Sequence, residues 1–125
     1  VYQQLQSDPG LSALVGGAVY DAVPSGELPD VYVVLGTETV RDRSDGESAG
    51  AEHRFIVSVL SDTAGFGMAK EVAGAVSDAL SGAPPDLSRG RLVGLWFERA
   101  QARRAGKAGR VRRIDLQFRA RVEDN

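Results

Sequence analysis

The chain has 125 residues, 42% of them apolar, and a formal net charge of −2, which bounds it to one domain. Val, Leu, Ile and Phe make 32 of the residues, enough for one real core, so wholesale disorder is excluded. The absence of cysteine excludes disulfides and thiolate metal sites. No apolar run approaches the roughly 18 residues of a membrane span, and the start VYQQLQSDPG has no basic stretch leading into an apolar one, so a soluble protein is expected.

In chain order, Leu5 is followed by Ser7-Asp8-Pro9, which reads as a cap with proline at the first helical position. Leu11, Leu14 and Val15 then recur at helical spacing before Gly16-Gly17, so a short helix is predicted there. A short strand around residues 18–20 comes next, then a loop holding Pro24 and Pro29, whose prolines exclude regular pairing. The run Val31-Tyr32-Val33-Val34-Leu35 is β-branched and apolar on both sides and continues to Val40, as a central strand would. Residues 41–50 (RDRSDGESAG) read as a long polar hairpin loop, with a return strand over 53–61 that alternates Phe55, Val57 and Val59 on one face.

Ser61-Asp62-Thr63 offers helix-capping chemistry, and Phe66, Ala69, Val72, Ala73, Val76 and Leu80 form one apolar stripe, the signature of the main helix, ending at Gly82. The last third predicts two strands, 92–101 and 111–122, joined by a connection over 102–110. In the final strand Ile114, Leu116, Phe118, Ala120 and Val122 alternate with Arg113, Asp115, Gln117, Arg119 and Arg121, a core face backed by a basic stripe. At about 3.3 Å per residue this hairpin is expected to reach or pass the edge of the body.

The charge is divided along the chain. Residues 1–88 carry 13 acids against Arg41, Arg43, Arg54 and Lys70, a balance of −9, whereas residues 89–121 carry 11 bases against Glu98 and Asp115, a balance of +9. Such asymmetry suits a charged partner, or head-to-tail contacts between copies of one chain. A chain of this size buries only about two-thirds of its unfolded surface, so association would add useful stability.

Enzyme chemistry has little to stand on. His53 is the only histidine, so no metal pair or Cys-His arrangement can form. Asp42, Asp45, Glu47 and Glu52 lack the spacing of a calcium loop and fit a solvated loop. Gly65 and Gly67 open the main helix without a full phosphate-binding signature, and no serine stands in a nucleophile elbow, so neither a catalytic residue nor a cofactor or metal site is expected. The basic hairpin, with Arg103, Arg104, Lys107 and Arg110 at its turn and Arg112 and Arg113 behind, admits three readings: phosphate contact, a subunit or partner interface, or a charged edge that discourages aggregation. Without aromatics among those bases, base-specific or single-strand recognition is disfavoured.

The series Asp8-Pro9-Gly10-Leu11-Ser12-Ala13-Leu14-Val15-Gly16-Gly17, Val19-Tyr20-Asp21, Pro29-Asp30-Val31-Tyr32-Val33-Val34-Leu35-Gly36, Gly50-Ala51-Glu52-His53-Arg54-Phe55 and Leu116-Gln117-Phe118-Arg119-Ala120-Arg121-Val122-Glu123 resembles the tail-completion or tail-terminator proteins of long-tailed bacteriophages, especially the version in gene transfer agents. Asp30 and Ser61-Asp62 depart from the family, which more often runs from proline straight into the aromatic and carries a tryptophan-serine pair at the second place. The resemblance implies an α/β (α+β) fold: a mostly antiparallel sheet of about four to five strands, one main helix packed on it, a short N-terminal helical region and a long C-terminal hairpin. It also implies a structural role in the virion or gene transfer agent particle, assembled in the bacterial cytoplasm, with no membrane involved. Six copies would form a ring that ends the tail tube, meets a head-side connector or stopper protein and passes DNA through its channel. Expected partners are therefore other copies, the tail tube protein and the connector. The parts expected to reach them are Arg41, Asp42, Arg43, Asp45 and Glu47 in one loop and Arg103, Arg104, Lys107, Arg110, Arg112 and Arg113 in the other. The rival expectation is a small nucleic-acid-binding module that lays its basic hairpin on duplex phosphates.

Overall fold

The computed structural model describes residues 5–6, 8–21, 29–42, 50–62, 66–82, 91–105 and 110–123. Helix α1 (Pro9–Val15) starts as its sequence dictates: Asp8 is the N-cap, its carboxylate accepts the Leu11 backbone N–H at 2.9 Å, and Pro9 occupies the first turn where no N–H is needed. Gly16, at φ 60°, closes it in the left-handed conformation that glycine adopts without penalty. Strands β1 (Val19–Tyr20), β2 (Val31–Asp42), β3 (Gly50–Ser61), β4 (Arg91–Ala105) and β5 (Val111–Glu123) form one sheet in the order β1-β2-β3-β5-β4, with helix α2 (Gly67–Gly82) inserted between β3 and β4 in the chain. Only the β1–β2 pair is parallel; the other three are antiparallel.

One face of the sheet supplies Val33, Val57, Val59, Ile114, Leu116 and Phe118, and the two helices cover it with Leu11, Val15, Ala69, Val72, Val76 and Leu80, all buried. The stripe expected on α2 is therefore the face it buries. Phe66 takes the position before the helix, its carbonyl accepting the Lys70 N–H at 2.8 Å, and its ring packs against the core.

Several boundaries differ from the sequence expectation. Ser61 belongs to β3, and the Asp62 N–H bonds the Asp30 carbonyl at 2.8 Å, so these two residues extend the sheet rather than cap α2; Thr63 lies outside the described residues. Strand β4 continues through Ala102, Arg103, Arg104 and Ala105, which were expected in a connection, because Val111, Arg112, Arg113 and Ile114 stand opposite to pair with them. The β2–β3 hairpin is likewise longer: Arg41 and Asp42 pair with Glu52 and Ala51, and the return strand begins at Gly50 rather than at 53. Finally, β5 pairs with β3 from Gly50↔Glu123 to Ser61↔Arg112. The C-terminal hairpin is thus part of the sheet from Arg112 to Glu123, with β4 as the edge strand, and its β4–β5 pairing runs on to Ala105↔Val111 past the end of β3; its tip at 106–109 lies outside the described residues.

Candidate assembly surface

The sheet register separates the two groups of charged residues expected to make contacts. Arg41 and Asp42 lie at the end where Gly50, Arg91 and Glu123 come together, and Arg103, Arg104, Arg112 and Arg113 lie at the other. With β3 running between them, the separation is roughly 36 Å at about 3.3 Å per residue. Arg43, Asp45, Glu47 and Lys107 fall outside the described residues.

At the basic end the register sets Arg103 directly opposite Arg113 and Arg104 opposite Arg112. Like charges so placed repel. A carboxylate relieves the first pair: Arg113 Nε donates to Asp115 Oδ1 at 2.8 Å, and Arg103 Nη2 lies 3.6 Å from Asp115 Oδ2. The Ser58 hydroxyl donates to the same Oδ1 at 2.7 Å and accepts from Arg113 Nη2 at 3.2 Å. Burial works to raise the Asp115 carboxyl, but the Ser58 hydroxyl and the guanidinium groups of Arg113 and Arg103 outweigh it and hold the group below its ordinary value. The second pair has no such mediator among the described residues. Arg104 is exposed, while Arg112 turns back to donate from Nη1 to the Arg110 carbonyl at 2.7 Å and leaves its buried Nε without a partner among the described residues.

Farther along the same open face, Arg54 bridges two acids, with Nη2 3.1 Å from Glu52 Oε1 and Nε donating to Glu98 Oε1 at 3.1 Å. Glu98 also accepts from Gln117 Nε2 at 3.0 Å; that bond, opposed by desolvation and joined by Arg54, lowers its carboxyl from the ordinary value. Arg119 stacks on Trp96, its guanidinium carbon 4.8 Å from the ring centroid. Trp96, Arg119, Arg121 and the buried Glu52 line an open cleft of about 160 Å³. The basic stripe of β5 is therefore a lattice of alternating guanidinium and carboxylate groups. Asp115 falls in the β5 stripe by its own spacing, whereas Glu52 and Glu98 come from the two neighbouring strands, and sequence spacing alone does not place them there. The signal that finds them is the strand register, once Phe55 is set opposite Phe118.

The helix-covered face carries no comparable constellation. His53 Nδ1 meets Glu38 Oε1 at 2.7 Å, a surface pair across β2 and β3. No group of three or more possible metal ligands occurs among the described residues, and none of their helices is long and apolar enough to cross a membrane. What remains exposed in quantity is Arg99, Arg103, Arg104 and Arg110 beside edge strand β4, and the rings of Trp96 and Phe97 on its two faces. Guanidinium groups and aromatic edges of this kind suit recognition of another macromolecule rather than chemistry on a small one.

Comparison with known proteins agrees with that assessment. A family model described as "Tail completion protein gp17" matches residues 1–123. Among solved structures, a chain in the virion of a native gene transfer agent particle is 63% identical, with a TM-score of 0.90 over 98% of this chain and 90% of that one. No curated protein matches the chain.

Proposed function

The chain belongs to the tail completion protein gp17 family, a structural family of phage-like tails, and from that membership we propose that it forms one segment of a closed ring at the head-proximal end of a tail. The ring stops growth of the tail tube, offers the docking surface for the head-side connector or stopper protein, and leaves a channel through which DNA passes. Assembly takes place in the bacterial cytoplasm, and the finished site is the virion or gene transfer agent particle. The observation that carries this reading is the 63% identity, over nearly the whole chain, to a chain of a gene transfer agent virion. Six copies is the number the family resemblance implies.

The geometry supports the same reading. A piece that joins two different bodies needs two separate contact regions, and of the described residues proposed for contact, Arg41 and Asp42 sit at one end of the sheet and Arg103, Arg104, Arg112 and Arg113 at the other. A closed ring also needs each copy to present one surface to one neighbour and a different surface to the other, which limits growth to a fixed number. Assembly reactions with and without the chain test the role: with it, tubes should stop at a uniform length and accept heads; without it, tubes should overgrow and heads remain unjoined. Tubes of uniform length that join heads in its absence would refute the reading.

Arg103, Arg104 and Arg110, exposed near the β4–β5 turn, favour one second reading, in which the hairpin binds duplex phosphates. Against it stands the pairing of Arg54 and Arg113 with carboxylates, which withdraws them from a polyanion. A dedicated binder loses affinity steeply as salt rises, whereas a terminator binds duplex DNA weakly at all salt concentrations.

A further inference from the structure

The cleft between Trp96, Arg119 and Arg121 has features that the fold does not require. Gly94 and Gly50 lie beside two of its lining side chains, Trp96 and Arg121, and neither has the positive φ that calls for glycine. Their reason is close approach: a Cβ on Gly94 would collide with the Trp96 ring, and one on Gly50 would stand 2.6 Å from Arg121 Nη2. The two glycines let an indole and a guanidinium approach the strands more closely than any side chain at those positions would allow. Its wall carries an unmet demand as well, since Arg119 Nε is buried with no hydrogen-bond partner among the described residues. Unpaired buried donors of this kind are uncommon and invite an acceptor.

The ligand chemistry follows from the lining. Guanidinium groups from Arg119 and Arg121 beside an indole receive a carboxylate well. Glu52 in the same lining offsets one of the two guanidinium charges, which leaves enough for a single carboxylate but not for a run of phosphates, and about 160 Å³ admits one side chain rather than a nucleotide. The helix-covered side of the same molecule presents such carboxylates. On α2, Glu71 and Asp78 are exposed and seven residues apart, so they share a face at a spacing of about 10.5 Å. Gly74 lies between them with open space around it, so a partner can come close to the helix there.

We infer that the Trp96–Arg119–Arg121 cleft of one copy receives the acidic outer face of α2, carrying Glu71 and Asp78, from the next copy. This rests on the ring reading above and names the surfaces that would meet in it. Cleft and helix lie on opposite faces of the sheet, so each copy can offer the cleft to one neighbour and the helix to the other, as a heterologous contact demands.

The chain contains no cysteine, which makes a cross-linking test clean. Trp96→Cys combined with Gly74→Cys in one chain, assembled with tail tube protein and then oxidised, should give a covalent ladder up to the full ring. Mixing the two single variants should give heterodimers and nothing larger. In parallel, Arg119→Glu should weaken self-association on the order of tenfold or more. Adding Glu71→Arg and Asp78→Arg to the same chain should restore it, with melting temperatures showing that each variant is folded. A ring of full mass that forms no ladder, or one unaffected by Arg119→Glu, overturns this inference and leaves the proposed function standing. The absence of any oligomer, with or without tube protein, overturns both.

Discussion

Asp115 shows how much rests on single residues in the open face. It receives hydrogen bonds from Ser58 and Arg113 and stands between two arginines that would otherwise oppose each other bare. Because its folded carboxyl lies below the ordinary value, its contribution is present above about pH 4 and is lost as pH falls through the folded value. Asp115→Asn should therefore cost about 1–3 kcal/mol at neutral pH, read by chemical denaturation, and should flatten part of the acid limb of the stability profile. An unchanged acid limb would show that the carboxylate does not hold the pair. Gly94 is a second case. Gly94→Ala should push the Trp96 ring out of its seat toward solvent, and since Trp96 is the only tryptophan, its fluorescence should shift to the red while the melt changes little. A spectrum identical to that of the parent chain would show that the ring does not lie against the strand.

At the scale of elements, the helices were the most legible part of the sequence. Asp8, Pro9 and Gly16 each perform a local task that their chemistry permits and few others would, and the apolar stripe of α2 is buried as its period implies. Helix α1 has only seven residues, too few to be stable alone, so its helicity depends on packing against α2 and the sheet. Leu11, fully buried, is its anchor. Leu11→Ala should cost about 2–5 kcal/mol by denaturation, and a loss below 1 kcal/mol would mean that the helix is an accessory rather than part of the core. Strand ends were less legible, for a physical reason. The stretch Ala102-Arg103-Arg104-Ala105 has the composition of a solvated turn, and what makes it a strand is the partner segment opposite, Val111 to Ile114. Arg41 and Asp42 are strand residues for the same reason, held by Ala51 and Glu52. The irregularities in β2 after Leu35 and in β4 after Leu92 fall at Gly36 and Gly94, glycines inside strands that mark a bulge locally, whereas the one after Phe97 has no such mark. Asp115 could be joined to Arg113 by spacing within β5, but Glu52 and Glu98 were visible only as letters and reach the open face through register.

For the molecule as a whole, the near-zero net charge conceals a spatial design. The basic last third supplies edge strand β4 and its neighbour β5, while the acidic first part supplies exposed carboxylates at Asp21, Asp30, Asp62, Glu71 and Asp78 on the rest of the body. Arg54 and Arg113 are paired with carboxylates within the sheet and Arg103 shares Asp115, so Arg104 and Arg110, exposed near the β4–β5 turn, are the more available to partners. Neutralising Arg103, Arg104, Lys107 and Arg110 together, each to Gln, should leave the melting temperature within a few degrees of the parent and abolish the joining of heads to tails in an assembly assay. A variant that unfolds would show that these side chains support the sheet, and one that joins heads normally would remove this end of the molecule from the contact. The most direct test of the account is the mass and image of the purified chain mixed with tail tube protein, by light scattering and electron microscopy of the same sample. The account predicts one closed ring of identical copies, with a central opening, seated at one end of each tube. A chain that stays monomeric at high concentration and leaves the tube ends bare would contradict it.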